Sequence, residues 1–212
     1  MRAQACKKTR SRTLTQRSPM PVSPISGPPP VRNDLFDKSQ FTRGRPKAVE
    51  VAWYFTKVIF FLSAWPWPSA VKIRLLRAFG CRVGSGVVIK PRVNIHFPWK
   101  LTIGDYCWIG ELTEVLNLES VALEDHSTLS HGVYLAAAGH DSSSASMAYK
   151  NRAIRIGRSA WVTSHAFIGP GVTVGEGAVI GAGAVVLTNV EPHAVMVGNP
   201  AVAVAVRQIR RP

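Results

Sequence analysis

The chain has 212 residues, of which 46% are hydrophobic and 18% are charged, and this composition suits one main domain with at most one accessory segment. The formal net charge is +14, but residues 83–206 hold seven basic and nine acidic side chains, so the positive charge belongs to the two ends of the chain. This distribution argues against nucleic-acid binding by the main domain.

Residues 1–33 carry seven Lys or Arg side chains, no acidic side chain, and many Pro and Ser residues. This composition predicts a disordered basic tail. Alternatively, translation starts further downstream, with Met20 as the initiator. The tail lacks the long apolar core of a secretory signal.

Residues 34–82 are predicted to form a helical lead-in. Their apolar run from Val49 to Trp67 contains Glu50 and Lys57, so it falls short of the about 20 uninterrupted apolar residues that cross a bilayer. A packed or interfacial helix is expected there instead.

A second helix is predicted from Ala70 to Phe79, with Ser69 as its N-cap and Gly80 at its end. This helix is amphipathic and basic. Two roles stay open for it: docking onto the main domain, or contact with a membrane surface.

Aliphatic residues recur at every sixth position in the second half of the chain, a period that neither an α-helix nor an ordinary strand has. They are Ile156, Val162, Ile168, Val174, Ile180 and Val186. The pattern predicts an all-β fold, a single-stranded parallel β-helix, whose interior the aliphatic side chains fill. Three six-residue repeats make one triangular turn, and stacked turns pair their short strands in parallel.

The same register occurs upstream in three triplets, so the β-helix is predicted to span residues 83–206. The triplets are Val83, Ile89 and Ile95; Ile103, Ile109 and Val115; and Leu123, Leu129 and Leu135. Gly198, Asn199 and Pro200 predict a closing cap, followed by a short C-terminal helix and a basic end at 207–212.

The cysteines are Cys6, Cys81 and Cys107, an odd number without metal-ligand spacing. They favour free thiols in a reducing compartment, and therefore a cytoplasmic protein. Cys107 occupies a small-residue position of its repeat, which predicts an apolar filler rather than a reactive thiol.

The repeat breaks once, directly after His140, and resumes at Ile156. Residues 141–155 are therefore predicted to leave the coil as a loop. A loop beside a histidine forms a pocket wall, and its polar residues suit a sugar ligand.

Five ordered motifs carry a family resemblance: VNIHFPWKLTIGDYCWIGE, LNLES, GHD, IGRSAWVTSHAFIGPGVTVGEGAVIGAGAVV and VGNPA. They resemble the hexapeptide-repeat acyltransferases, in particular the O-acetyltransferases of colanic-acid and other exopolysaccharide biosynthesis. A more distant resemblance is to the maltose and galactoside acetyltransferases. The resemblance covers roughly residues 41–207 and implies that the β-helix is left-handed.

The resemblance implies that His140 is the catalytic base, in a homotrimer whose sites lie between neighbouring subunits. A neutral imidazole suits removal of a proton from a hydroxyl that attacks a thioester, so direct transfer is expected. For Asp141, two roles stay open: orienting the His140 ring or bonding the acceptor, or capping the turn that opens the loop. Glu111 and Asn117 match family residues near the acceptor, which is expected to be a sugar or polysaccharide precursor.

Acetyl-coenzyme A is the implied donor, with no metal. Ser164, Ala182 and Gly183 match the groove for its pantetheine arm, and Trp161 is a flat neighbour. Two basic positions that relatives use for its phosphates are Thr188 and Ala205 here. Arg207 and Arg210 are candidate substitutes.

Two rival functions stay open. One is a non-catalytic β-helix scaffold whose basic N-terminal region binds a membrane or a partner protein. The other is a zinc-dependent carbonic anhydrase of the β-helical type, with His126, His131 and His96 as candidate ligands. His165 matches a family position near the path of the acyl carrier, although a solvated or packing role is also open.

Overall fold

The computed structural model describes residues 30–37, 39 and 41–209. The disordered tail predicted for 1–33 therefore falls almost wholly outside the described residues, as does Arg210. The regular elements of the described chain are seventeen short strands, two α-helices, one π-helical turn and two short 3₁₀ turns.

The strands form three sheets, and the chain visits the sheets in rotation. Sheet 1 consists of β1 (Arg82–Val83), β4 (Leu101–Ile103), β7 (Val121–Leu123), β10 (Ile154–Ile156) and β13 (Thr173–Val174). Sheet 2 consists of β2 (Val88–Ile89), β5 (Trp108–Ile109), β8 (Thr128–Leu129), β11 (Trp161–Val162), β14 (Val179–Ile180), β16 (Ala194–Val197) and β17 (Val202–Val206). Sheet 3 consists of β3 (Asn94–Ile95), β6 (Glu114–Leu116), β9 (Tyr134–Ala136), β12 (Phe167–Ile168) and β15 (Val185–Val186). The predicted left-handed parallel β-helix is confirmed.

The period of six arises because each strand turns one aliphatic side chain into the interior. In sheet 2 the register aligns five such side chains in one column, each at most 2% exposed: Ile89, Ile109, Leu129, Val162 and Ile180. Burial of each side chain of this size contributes about 1.5–3 kcal/mol. The column therefore fixes the register of the stack.

Three corners separate the sheets, and each corner takes the number of the sheet that precedes it in the chain. The first corner joins sheet 1 to sheet 2, the second joins sheet 2 to sheet 3, and the third joins sheet 3 to the next turn of sheet 1. Backbones crowd at the corners: a Cβ atom on Gly175 would lie 2.5 Å from the backbone nitrogen of Pro192. Cys107 is 1% exposed at the first corner, as expected for a filler, and its thiol donates to the carbonyl oxygen of Glu124 at 3.0 Å.

Two helices cover the N-terminal end of the β-helix. Helix α1 (Lys47–Lys57) continues into one π-helical turn, Val58–Leu62, and its buried Trp53 donates Nε1–H to the carbonyl oxygen of Ile95 at 2.9 Å. Helix α2 (Ser69–Ala78) docks on the first turn through Lys72, whose buried ammonium donates to the carbonyl oxygen of Lys90 at 2.8 Å. Neither helix of the described chain combines the length and the unbroken apolar character that a bilayer crossing requires.

The N-cap prediction for α2 is wrong. Pro68 precedes the helix, and Ser69 is its first residue. The Ser69 hydroxyl instead accepts the backbone N–H of Ile89 at 3.0 Å, because docking brings this helix end against β2.

Two further boundaries differ from the sequence predictions. The loop after His140 ends at residue 153 rather than 155, because Ile154 and Arg155 already pair with β7 in sheet 1. The prediction of a short C-terminal helix is also wrong, because residues 202–206 form β17, which runs antiparallel to β16. The alternation of Val and Ala in this segment supplies β-branched side chains that favour a strand, and β16 offers a free edge for pairing.

Candidate active site

His140 lies at the third corner, where β9 has ended and the long loop begins. Its side chain is exposed, and its backbone forms an antiparallel bridge with Tyr149 on the returning arm of the loop. Its Nδ1 atom lies 2.6 Å from the carbonyl oxygen of Met147. A carbonyl oxygen only accepts, so Nδ1 carries the proton, and in the neutral ring Nε2 holds the basic lone pair.

The loop is a hairpin that folds back on its own start. The backbone N–H of Lys150 donates to the carbonyl oxygen of Gly139 at 2.7 Å, and that of Asp141 donates to Ala148 at 2.8 Å. The backbone N–H of Arg32 donates to Ala145 at 2.8 Å, which ties the segment before α1 to the loop. These bonds fix the carbonyl group that orients the His140 ring.

Asp141 caps the turn at the tip side of this hairpin. Its Oδ1 accepts the backbone N–H of Ser143 at 3.0 Å and the Ser143 hydroxyl at 2.6 Å. The Ser143 hydroxyl and backbone N–H lower the pKa of the Asp141 carboxyl below its ordinary value. Of the two roles left open by the sequence, the geometry of the chain favours the turn cap.

Aromatic rings surround the imidazole. Tyr149 stacks on His140 with ring centroids 5.2 Å apart, and Phe36 lies 5.5 Å from the same ring. A cleft of about 220 Å³ is lined by Asn33, Phe36, His140 and Met147. The sequence reasoning missed Phe36, Tyr149 and Met147, since no spacing rule connects them to the repeat.

Basic side chains border the other side of His140. Lys150 and Arg152 line a second cleft of about 150 Å³ together with Gly139, Pro170 and His140. These positive charges favour an anionic group near the imidazole.

The two residues predicted on the acceptor side do not lie beside the His140 ring. Glu111 is at the second corner, with its carboxylate 3.8 Å from Arg92. Asn117 is at the third corner but fully buried, and both polar groups of its amide bond the backbone of Phe97, at 2.9 and 2.7 Å. The amide of Asn117 therefore holds the Phe97 segment in place and is not presented to a ligand.

Three of the predicted donor-binding residues meet at the second corner. The backbone N–H of Gly183 donates to the carbonyl oxygen of Ser164 at 2.9 Å, and Ala182 and Gly183 are exposed. A Cβ atom on Gly183 would meet no atom within 4 Å, so the space beside this corner, where the resemblance implies the donor groove, is open.

The other two residues predicted to bind the donor lie elsewhere along sheet 2. Trp161 is 44% exposed on β11, and its indole N–H donates to the Ser130 hydroxyl at 2.9 Å. The Arg207 guanidinium donates to the carbonyl oxygens of Ser159 and Gly177, which places it at the first corner, on the opposite edge of sheet 2 from Gly183.

Four further histidines are held in pairs with other side chains. His126 stacks on Tyr106 at 5.2 Å, and His131 meets His165 edge-on at 5.3 Å. The His96 ring lies 2.7 Å from the Glu114 carboxylate. Within the part of the chain that the structure describes, no three His, Cys, Asp or Glu side chains come close enough together to hold a metal ion.

Comparison with known proteins identifies the family. Residues 153–188 match the family model "Bacterial transferase hexapeptide (six repeats)", and residues 100–137 match "Hexapeptide repeat of succinyl-transferase". A protein named as a colanic acid biosynthesis acetyltransferase, WcaF of Escherichia coli (strain K12), is 37% identical over 171 residues, which cover 79% of this chain and 91% of WcaF. The chain belongs to the hexapeptide-repeat acetyltransferases.

A further sequence relative and two solved structures of the same fold resemble this hexapeptide-repeat acetyltransferase. Nodulation protein L of Rhizobium meliloti (strain 1021) is 38% identical, over 56% of this chain and 67% of its own. A hexapeptide-repeat acetyltransferase of Vibrio cholerae, solved with acetyl-coenzyme A, superposes with a TM-score of 0.70 at 20% identity, over 77% of this chain and 89% of its own. A galactoside acetyltransferase solved with coenzyme A has a TM-score of 0.68 at 23% identity, over 75% and 80% of the two chains.

Proposed function

We propose that this acetyltransferase moves an acetyl group from acetyl-coenzyme A to a sugar hydroxyl of an exopolysaccharide or of its precursor. The observation that carries the proposal is the His140 ring, exposed at the break of the β-helix and fixed through Nδ1 to Met147. The name of WcaF supports the acceptor class, and the coenzyme A complexes of two structural neighbours support the donor.

In the proposed reaction, Nε2 of His140 takes the proton of the acceptor hydroxyl as its oxygen attacks the thioester carbonyl. The carbon–sulfur bond then breaks, and the imidazolium returns the proton to the departing thiolate. General-base assistance of this kind is worth about two to four orders of magnitude in rate. The carbonyl of Met147 stabilises the imidazolium and keeps Nε2 directed outward.

Direct transfer is supported by the state of the thiols in the described chain. Cys81 and Cys107 are 4% and 1% exposed. Burial raises the pKa of the Cys81 thiol to about 12 and also raises that of Cys107. A thiol that is buried and protonated is a poor nucleophile, so no acyl-cysteine step is included in the mechanism.

The donor is proposed to lie along the second corner, where Ser164, Ala182 and Gly183 leave a groove without bulky side chains. Arg207 does not lie in that groove, because its guanidinium is bonded at the first corner. Thr188 and Ala205 bring no charge for the donor phosphates. Lys150 and Arg152, which line a cleft together with His140, are proposed to supply positive charge beside the reaction centre.

A complete site is proposed to need two chains. Within one chain, His140 lies at the third corner and Gly183 at the second, at opposite ends of the sheet 3 strands. A threefold ring of parallel β-helices brings the third corner of one subunit against the second corner of the next. The active enzyme is therefore proposed to be a homotrimer, located in the cytoplasm.

The acceptor is proposed to bind in the aromatic cleft beside His140. The ring of Phe36, which packs edge-on against Tyr149, provides a flat apolar surface for the C–H face of a sugar, and Asn33 provides an amide for its hydroxyls. This cleft is formed by the N-terminal segment and the loop, so acceptor choice is expected to follow those two segments.

The test is a matched pair of substitutions, His140→Asn and His126→Asn. The amide that the first substitution introduces can still donate to Met147 but has no basic lone pair, whereas His126 stacks on Tyr106 at another corner. Release of free coenzyme A with sugar acceptors should fall by about two to four orders of magnitude only in the first variant. Unchanged turnover in His140→Asn would refute the base assignment, and a wild-type chain that consumes no thioester would favour the scaffold function.

A further inference from the structure

The exposed face of helix α1 and its π-helical turn is apolar, which reverses the usual pattern of a surface helix. The exposed large side chains lie at helical spacing along one face: Val51, Tyr54, Phe55, Val58, Ile59 and Leu62, which we call the apolar stripe. Each is between 37% and 61% exposed. A solvated helix ordinarily places charged residues on that face.

Two charged residues of this segment, Glu50 and Lys57, lie off the stripe, whereas the exposed Lys47 precedes Val51 by one turn on the same face. Lys57 is half-buried on the inner side, where desolvation lowers its pKa and Glu114 opposes that effect. Glu50 is half-buried and accepts from the Arg43 guanidinium at 2.7 Å. Glu50 and Lys57 therefore lie toward the protein or its rim, Lys47 adds one positive charge at the start of the stripe, and the stripe itself is uncharged from Val51 to Leu62.

We propose that the apolar stripe docks this protein onto the surface of an anionic lipid bilayer. Trp65, 66% exposed in the turn after the stripe, and Tyr54 are the aromatic types that favour the interface between headgroups and acyl chains. A helix of this kind lies in the interface plane with its apolar side immersed.

Charge supports a bilayer as the occupant. Residues 34–82 contain nine basic and three acidic side chains, and residues 1–33 contain seven basic and none acidic. The β-helix itself is slightly acidic, so the basic excess accompanies the segment that bears the stripe. Anionic headgroups attract such a segment, and the apolar side chains then add a contact that salt does not screen.

The stripe is also placed suitably for contact with a flat surface. Trp53 and Phe61 point from the same helix into the core beneath, so the stripe faces away from the end of the β-helix. In the homotrimer of the proposed function, on which this step alone rests, the three stripes lie at one level along the symmetry axis. One bilayer can then contact all three, which multiplies a weak single contact. A lipid-linked sugar acceptor would be presented at the same surface.

The test is sedimentation of the full-length chain with vesicles, without donor or acceptor, so that its result does not depend on enzymatic activity. Vesicles of phosphatidylcholine are compared with an equal mixture of phosphatidylcholine and phosphatidylglycerol. The variant Phe55→Glu with Ile59→Glu disrupts the stripe. The control Val202→Glu with Val204→Glu makes the same change at two exposed valines of β17.

We expect the wild type and the control to bind the mixed vesicles, and the stripe variant to bind about tenfold or more weakly, since each large side chain kept out of the interface costs about one order of magnitude in partitioning. The elution volume and the turnover of a water-soluble acceptor should be unchanged, which shows that the variant is folded. Three results would overturn the proposal: no binding by the wild type, equal binding by the stripe variant, or a smaller assembly in the stripe variant, which would make the stripe a contact between copies.

Discussion

The phenol ring of Tyr149 stacks on the imidazole of His140, with their planes inclined by 27° and their centroids 5.2 Å apart. The two residues also pair through their backbones, across the base of the loop. The loop therefore supplies both the carbonyl group that fixes the tautomer of His140 and the ring that fixes its plane.

Removal of the Tyr149 ring should leave the His140 base present but less well oriented. We expect Tyr149→Ala to lower kcat/KM by about tenfold, because an aromatic pair is worth about 0.5–1.5 kcal/mol beyond its buried area. Tyr149→Phe retains the ring and should restore most of the activity. Steady-state kinetics of both variants test this prediction, and equal losses in the two would point to the hydroxyl instead.

Substitution of Asp141 separates a turn cap from a catalytic partner. Because Ser143 lowers its pKa, the cap is fully formed above the ordinary value of 3.8 and is lost as the pH falls through the lowered value. Activity near neutral pH should therefore not depend on this titration. We expect Asp141→Asn, which can still cap the turn, to keep kcat within about threefold of the wild type. A loss as large as that of His140→Asn would show that the carboxylate acts in the reaction.

Asn117 should matter for stability more than for catalysis. Asn117→Ala leaves the backbone N–H and C=O of Phe97 without their partner, and it should lower the free energy of unfolding by about 1–3 kcal/mol. Asn189→Ala is the control, since Asn189 is exposed and makes one bond, to the backbone N–H of Thr173. Urea unfolding measures both. A large rise in the KM for the acceptor, with stability unchanged, would contradict this role.

A site shared between chains predicts complementation. The variant His140→Asn lacks the base, and Gly183→Trp fills the open groove at the second corner. Each should be inactive alone, whereas a randomly mixed trimer should regain about one quarter of wild-type activity, because about one in four boundaries then combines two intact corners. Refolding the two variants together and measuring thioester consumption tests the prediction. No recovery in mixed trimers would place the whole site within one chain.

The buried thiols predict that the stability of the folded chain falls at alkaline pH. The folded pKa of Cys81, about 12, lies above its ordinary value of 9.0, so the associated stability is complete below pH 9.0 and is lost as the pH rises toward 12. In the variant Cys6→Ser, alkylation by iodoacetamide near neutral pH should be about a hundredfold slower in the native chain than in urea. Rapid labelling of the native chain would show that a described thiol is accessible.

The period of six specified the fold, because each sixth side chain has a single destination, the narrow interior. Side chains such as Val162 and Ile180 leave no alternative register. The contacts of the loop could not be predicted in the same way: Met147 and Tyr149 reach His140 through a hairpin that follows no period. The same reason explains Ser69, whose partner Ile89 comes from a distant part of the chain and outweighs the local cap signal. For residues 202–206 the local signal itself favours a strand, because Val alternates with Ala there, and the preceding strand β16 supplies the edge for pairing.

The antiparallel course of β17 affects whether β-helices can associate end to end. A stack of parallel turns has an open face at each end, and another stack could in principle continue it without limit, as in a fibre. Helices α1 and α2 close the face at β1 and β2, and the reversed strand closes sheet 2 at the opposite end. Within the described chain, the helices and the reversed strand therefore interrupt the regular parallel stacking of sheet 2 at its two ends, which disfavours growth of the stack along its axis.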